Sequence, residues 1–184
     1  MKKYLFLFLI FLSSCGITAP SSFYQLQPMS NKALSSRRMN VGIEEVSVPR
    51  YLDRPQIVLT KSGRNELRVS EFNRWAEPLS SGISRVLADD ISTYLPNSLI
   101  KPKSYATERF DYTVNVEINK FDAVMYKKAE LDAWWTIYRD NKIVARGRTK
   151  LDNKPRSGYN GIVAEQSSML NTMAEQIARK LMRL

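Results

Sequence analysis

The chain has 184 residues, 43% of them hydrophobic and 25% charged, with a formal net charge of +10 at pH 7. It contains no histidine and a single cysteine, which excludes the usual hydrolytic triad, most zinc sites and any disulfide within the chain. Length and composition are those of one globular domain, which must obtain its stability from packing.

A short leader opens the sequence. Two lysines precede an apolar run of about nine residues, 4–12, which is the length of a signal-peptide core, whereas a membrane-spanning helix needs roughly 20. Ser13 and Ser14 are small, and Cys15 follows them. This order resembles the lipobox of bacterial lipoproteins. The resemblance implies removal of residues 1–14 and attachment of diacylglycerol and an acyl chain to Cys15; an ordinary signal peptide with an incidental cysteine is the alternative.

Gly16 occupies the position where an aspartate typically retains lipoproteins in the inner membrane. By the same resemblance, the mature chain is expected at the periplasmic face of the outer membrane. Loss of the leader removes its two lysines and lowers the net charge from +10 to +8. The basic residues are scattered, as on a solvated surface, and no compact basic run interleaved with aromatics indicates a nucleic-acid partner.

The mature chain is predicted to begin with a lipidated tether over residues 15–38, since 16–38 is rich in Ser, Thr, Pro and Asn. Residues 23–26 within it form a candidate edge strand. A single domain is expected over 39–184. Alternating apolar residues predict its first strand at 39–48, which Pro49 stops.

A polar loop then leads to a strand at 56–60, and turn residues at 62–65 predict a hairpin whose second strand is 66–70. Apolar residues at helical spacing predict a helix from about 79 to 95, with Pro78 suited to its first turn. Pro96 ends it.

The second half of the chain again has predicted strands followed by a helix. A short strand is predicted at 98–101, and three longer strands at 112–118, 129–137 and 143–150 form an antiparallel meander, with a bulge near Asn119 and Lys120. A helix over 162–184 closes the chain. The expected fold is α/β, with a mixed, largely antiparallel sheet of about five or more strands and two long helices packed on it.

No catalytic, metal or cofactor site is expected. The sequence has no phosphate-binding or dinucleotide-binding glycine motif. Asp89 and Asp90 are helix neighbours and point apart, so a glycosidase would need another carboxylate pair. Further acidic residues, predicted to lie opposite Lys and Arg, are spread over the meander: Asp111, Glu117, Glu130 and Asp132. The chain is therefore predicted not to be an enzyme.

Binding is the better hypothesis. Five residues combine the aromatic and charged types that anchor interfaces and are predicted to bind a partner: Tyr51, Arg54, Arg74, Trp75 and Glu77. A structural role is the alternative, in which Trp75 belongs to the core and Arg54 or Arg74 pairs with Glu77 or Asp53.

Three segments, 51–58, 72–79 and 131–135, resemble the ABC-type transport auxiliary lipoprotein component family, with Asn73 departing from an expected aspartate. The resemblance implies a non-enzymatic lipoprotein that docks an MCE-domain protein spanning the periplasm, in phospholipid transport between the inner and outer membranes. The resemblance does not decide the oligomeric state, and a homo-oligomeric ring that docks the partner is one alternative.

Two rival functions are also open. One is a structural or assembly lipoprotein of the envelope with a different partner, similar to the amino-terminal domain of TolB or to the lipopolysaccharide-assembly lipoproteins. The other is a lipid carrier, which an apolar cavity lined by Trp134, Trp135 and helix residues would favour.

Overall fold

The computed structural model of the protein describes residues 19–61, 63, 65–103 and 109–184. In chain order its elements are β1 (Ser22–Tyr24), β2 (Asn40–Ile43), β3 (Gln56–Thr60), β4 (Leu67–Trp75), α1 (Leu79–Tyr94), β5 (Leu99–Pro102), β6 (Tyr112–Val124), β7 (Lys128–Arg139), β8 (Lys142–Asn153) and α2 (Gly158–Leu181). The strands form a five-stranded sheet of order β5-β2-β6-β7-β8 and a three-stranded sheet of order β1-β4-β3. The predicted mixed α/β fold is confirmed.

The antiparallel meander forms β6, β7 and β8, and β2 joins it in parallel between β5 and β6. The register of β6 with β7 shifts between Ile118 and Lys120, where the sequence predicts a bulge. Asp140 and Asn141 both have positive φ and close the tight turn from β7 to β8.

The two helices pack against each other and against the five-stranded sheet. The predicted apolar stripes are buried, with Ile83 and Val86 on α1 and Met173 and Ile177 on α2 all fully inaccessible. No helix in the described part of the chain is long and apolar enough to cross a membrane.

The three-stranded sheet extends further than its hairpin. β3 and β4 pair as predicted, but β4 continues past the expected end at Ser70 as far as Trp75. β1 explains the extension, because it pairs in parallel with the last residues of β4, opposing Tyr24 to Trp75. Sequence reasoning placed residues 71–77 in the approach to the helix instead.

Residues 25–38, named here the strap, lie along the two helices. Leu26 is 2% exposed, and the buried Asp90 carboxylate accepts the backbone N–H groups of Met29 and Ser30 at 2.7 and 2.8 Å. The backbone N–H of Leu34 donates to the carbonyl of Tyr94 at 2.8 Å. The chain from Ser22 onward is therefore packed on the domain, while the leader and Cys15 lie outside the described residues.

Candidate partner-binding site

A surface groove of ≈ 330 Å³ lies between the loop before β3 and the end of β4. One side of the groove is lined by Asp53, Arg54 and Pro55, and the other by Trp75, Ala76, Glu77, Pro78 and Leu79. The groove thus brings together Arg54, Trp75 and Glu77, three of the residues predicted to bind a partner.

The loop on one side of the groove is held by its own backbone. The carbonyl of Pro49 accepts the N–H groups of Leu52 and Asp53 at 2.9 and 3.2 Å, and the Leu52 side chain is 3% exposed. The N–H of Trp75 donates to the carbonyl of Pro55 at 2.7 Å, which fixes the loop to β4. Arg54 is consequently presented from a constrained turn.

Trp75 contributes to both the core and the groove. The side chain is 8% exposed and packs with the buried apolar cluster, yet it forms part of the groove wall. The two roles considered for this residue are therefore compatible, and a large truncation at position 75 would disturb both.

Glu77 is paired with Arg85, a residue that sequence reasoning did not single out. The Arg85 Nη2 and Nε atoms donate to Glu77 Oε1 at 2.6 and 3.3 Å, and Gln25 Nε2 donates to the same oxygen at 3.3 Å. Burial acts to raise the pKa of Glu77, but these hydrogen bonds and the Arg85 charge outweigh it, so the pKa lies below its ordinary value. The suggested pairing of Glu77 with Arg54 or Arg74 is not what the structure has.

Gly82 makes room for this pair. A Cβ atom at position 82 would lie 3.3 Å from Glu77 Oε1, closer than side chains normally approach. Arg85 also donates to the carbonyl of Leu26 at 2.9 Å, so the same guanidinium joins α1, the strap and the edge of the groove. Because Glu77 precedes the helix, its spacing from Arg85 carries no helical signal in the sequence.

Arg74 does not reach the groove. It precedes Trp75 on β4, and successive side chains of a strand point to opposite faces. Its cross-strand partner on β1 is Phe23, and its Nε atom donates to the carbonyl of Glu71 at 3.2 Å. Arg74 therefore belongs to the face of the three-stranded sheet that is turned away from Trp75.

Tyr51 is engaged elsewhere. Its hydroxyl donates to Asp122 Oδ1 on β6 at 2.7 Å. Burial, followed by the hydrogen bond to Asp122 and the charge of that carboxylate, raises the pKa of Tyr51. Burial also raises the pKa of Asp122, although the Tyr51 hydrogen bond opposes it. Tyr51 thereby links the groove-bearing loop to the five-stranded sheet.

The two tryptophans on β7 lie on opposite faces of their sheet. Trp135 is 6% exposed, whereas Trp134 is 45% exposed and its ring stacks against the Arg148 guanidinium, 5.2 Å away. The two tryptophans therefore do not line one apolar cavity, which is the observation that would have favoured a lipid carrier. Arg148 also holds Asp132 through hydrogen bonds of 2.8 and 2.6 Å, which place that carboxylate opposite a basic residue as expected.

The class that fold and groove define is a small mixed α/β domain with a surface groove of aromatic and charged residues. The chain belongs to the ABC-type transport auxiliary lipoprotein component family, whose model matches residues 24–178. It is thus a lipoprotein-family domain that accompanies transport machinery. A search of curated proteins finds no match to the sequence.

Solved structures support the fold. An uncharacterized protein superposes with a TM-score of 0.74 at 22% identity, over 89% of this chain and 99% of that one. Protein XCC0632 from Xanthomonas campestris superposes with a TM-score of 0.69 at 14% identity, over 85% of this chain and 92% of that one. At these identities the likeness establishes the architecture alone.

Proposed function

We propose that the protein is anchored by lipid on Cys15 to the periplasmic face of the outer membrane, where it docks an MCE-domain bridge protein. The bridge carries phospholipids between the two membranes, and this domain receives its end without catalysing a reaction. Membership in a family of transport auxiliary lipoproteins supports an accessory role beside such machinery.

The observation that carries the proposal is the groove that gathers Arg54, Trp75 and Glu77. Interfaces concentrate their binding energy in buried aromatic and arginine side chains within small pockets. Glu77 has its charge compensated by Arg85, whereas Arg54 is exposed at the rim. A partner segment with an apolar side chain for the groove and a carboxylate for Arg54 fits this arrangement.

The test is mass spectrometry of the proteins that co-purify when the full lipoprotein is extracted gently from its own envelope. Arg54→Glu should reduce recovery of the MCE-domain protein at least tenfold, because it reverses the exposed charge at the groove. Arg50→Glu is the matched control, since Arg50 is exposed, lies four residues away and is not part of the groove lining. Equal recovery with both variants would contradict docking at the groove.

The identity of the recovered protein tests the remainder of the proposal. Recovery of lipopolysaccharide-assembly or other envelope components in place of an MCE-domain protein would overturn the transport function.

Trp75→Phe complements Arg54→Glu, because it keeps an aromatic ring in the core, whereas Trp75→Ala would cost about 3–5 kcal/mol of stability. Reduced capture by a folded Trp75→Phe protein would support the aromatic anchor.

A further inference from the structure

Exposed apolar side chains concentrate on the three-stranded sheet. Nine large hydrophobic residues are exposed in the described part of the chain, and four of them lie on β1 and β4: Phe23 (65%), Leu67 (43%), Val69 (40%) and Phe72 (39%). Single exposed apolar residues are ordinary, but several on neighbouring strands indicate a contact surface.

Strand register places Phe23 and Val69 of this group on one face of the sheet. Phe23 lies directly opposite Arg74 on β4, so these two side chains share one face. Val69 lies on that face too, because the register of β3 with β4 shifts: Gln56 opposes Arg74 and Val58 opposes Val69, and Gln56 and Val58 share one face of β3.

The exposed Phe72 precedes Arg74 by two residues at this irregularity of β4. Tyr24 and Trp75 occupy the opposite face, which is turned toward the core. We name the face with Phe23, Val69 and Arg74, together with the exposed Phe72, the outer face of the three-stranded sheet.

The chain connects this face closely to Cys15. Ser22, the first residue of β1, lies seven positions after Cys15. Because an extended chain gains at most about 3.5 Å per residue, β1 is held within roughly 25 Å of the lipidated position. Among the described elements, the first one after Cys15 is thus the strand that carries Phe23, the most exposed large hydrophobic residue in the described part of the chain.

We propose that the outer face of the three-stranded sheet lies on the bilayer surface, with Phe23 and Phe72 inserted at the level of the headgroups and Arg74 beside the phosphates. This inference rests on lipidation of Cys15, which is part of the proposed function. Aromatic rings and arginine with an apolar stem are suited to the membrane interface, where one end is apolar and the other hydrated.

This orientation of the three-stranded sheet on the membrane agrees with the position of the groove. Trp75 contributes to the groove from the opposite face of the same strand. With the outer face on the bilayer, that side of β4 is turned toward the periplasm, from which a bridge protein would arrive. Acyl chains hold a protein at the membrane surface. A contact through the folded domain would in addition fix the orientation of that domain.

The experiment uses the full lipidated protein in vesicles of phosphatidylethanolamine and phosphatidylglycerol. Cys15 is the only cysteine, so once it is acylated an introduced cysteine is the only free thiol. Nitroxide labels at Phe23→Cys and Phe72→Cys are compared with labels at Tyr126→Cys and Ile143→Cys, which are 63% and 48% exposed on the other sheet and its connection. Collision with oxygen and with a water-soluble nickel chelate measures the depth of each label.

The proposal predicts that the labels at positions 23 and 72 lie within the membrane interface and that those at 126 and 143 lie in water. Aqueous labels at all positions would overturn it, as would spin–spin broadening at 23 and 72, which would make a second copy the occupant of this face. Lipidation of Cys15 is measured independently of label depth, from the mass of the mature protein and the number of reactive thiols.

A functional control separates this inference from docking. The double variant Phe23→Asp and Phe72→Asp should lose the membrane depth at a label on Val69→Cys but retain capture of the partner in detergent, since neither residue lines the groove. Unchanged depth at position 69 in the double variant would count against the membrane contact.

Discussion

Gly147 on β8 lies directly against the indole of Trp135, its cross-strand partner on β7. A Cβ atom at position 147 would overlap carbon atoms of the indole ring, which is held in the core with 6% exposure. The glycine therefore leaves the space that a rigid aromatic side chain occupies. Its role is one of packing, because its φ is not among the positive values found in this chain.

Replacing this glycine tests the packing. Gly147→Ala should lower the free energy of unfolding by about 1–3 kcal/mol, since the ring must move within a close-packed interior. Urea denaturation measures the change, and Arg146→Ala on the exposed side of the same strand should stay within about 0.5 kcal/mol of the unaltered protein. Wild-type stability in Gly147→Ala would show that the indole has room to relax.

The Glu77–Arg85 pair predicts a pH dependence of stability. The pKa of Glu77 in the folded protein lies below the ordinary 4.5, so its contribution is fully present above that pH and is lost as the pH falls through the lower folded value. Glu77→Gln should therefore cost up to about 1 kcal/mol at pH 7, because the pair is partly exposed. The difference should vanish in acid.

Unfolding by urea at pH 7, 5 and 3 in parallel for the two proteins measures this dependence. Glu71→Gln serves as the control, because Glu71 is an exposed acid six positions earlier on β4. A Glu77→Gln deficit that persists unchanged at pH 3 would mean that the side chain stabilises the fold by its shape and not through its charge.

The elements that could be predicted are those whose signal is local. Alternation from Tyr112 to Ile118 and the phase change at Phe121 are properties of one segment, and the strand and its bulge follow from them. The division into two sheets is different in kind. It depends on β1 pairing with β4 across about fifty residues, and three residues of β1 carry little periodicity.

The candidate site shows the same limit. Arg54, Trp75 and Glu77 could be singled out by residue type, but their common groove depends on the hydrogen bond from Trp75 to Pro55. Arg74 has the same type and lies on the other face of the strand. Gln25 and Arg85 could not be assigned to the site from the sequence, because their contribution is a hydrogen bond to Glu77 and each reaches it from another part of the fold.

The strap was predicted as part of a tether because its composition is that of a linker. Its attachment comes from Asp90 on α1, whose Oδ1 atom accepts the N–H groups of both Met29 and Ser30 while the residue is fully buried. Ser30 Oγ donates in turn to the Asp90 carbonyl at 3.1 Å. A single helix side chain thus satisfies backbone groups that would otherwise favour solvent.

Removing this carboxylate should release the strap. Asp90→Ala leaves two backbone donors without their acceptor and should lower the free energy of unfolding by about 2–4 kcal/mol, because hydrogen bonds to a charged group are among the stronger ones. Asp90→Asn keeps one acceptor oxygen and should cost less. Asp89→Ala is the matched control, since the neighbouring carboxylate is 52% exposed and lies 3.8 Å from Arg85.

Limited trypsin digestion measures the release directly, because the strap carries Lys32, Arg37 and Arg38. Cleavage at these positions should be at least tenfold faster in Asp90→Ala than in Asp89→Ala, at a urea concentration where both proteins are folded. Equal cleavage rates would show that Leu26 and the contacts with Tyr94 hold the strap without the carboxylate. The strap would then be fixed by apolar burial, and Asp90 would stabilise only its own helix.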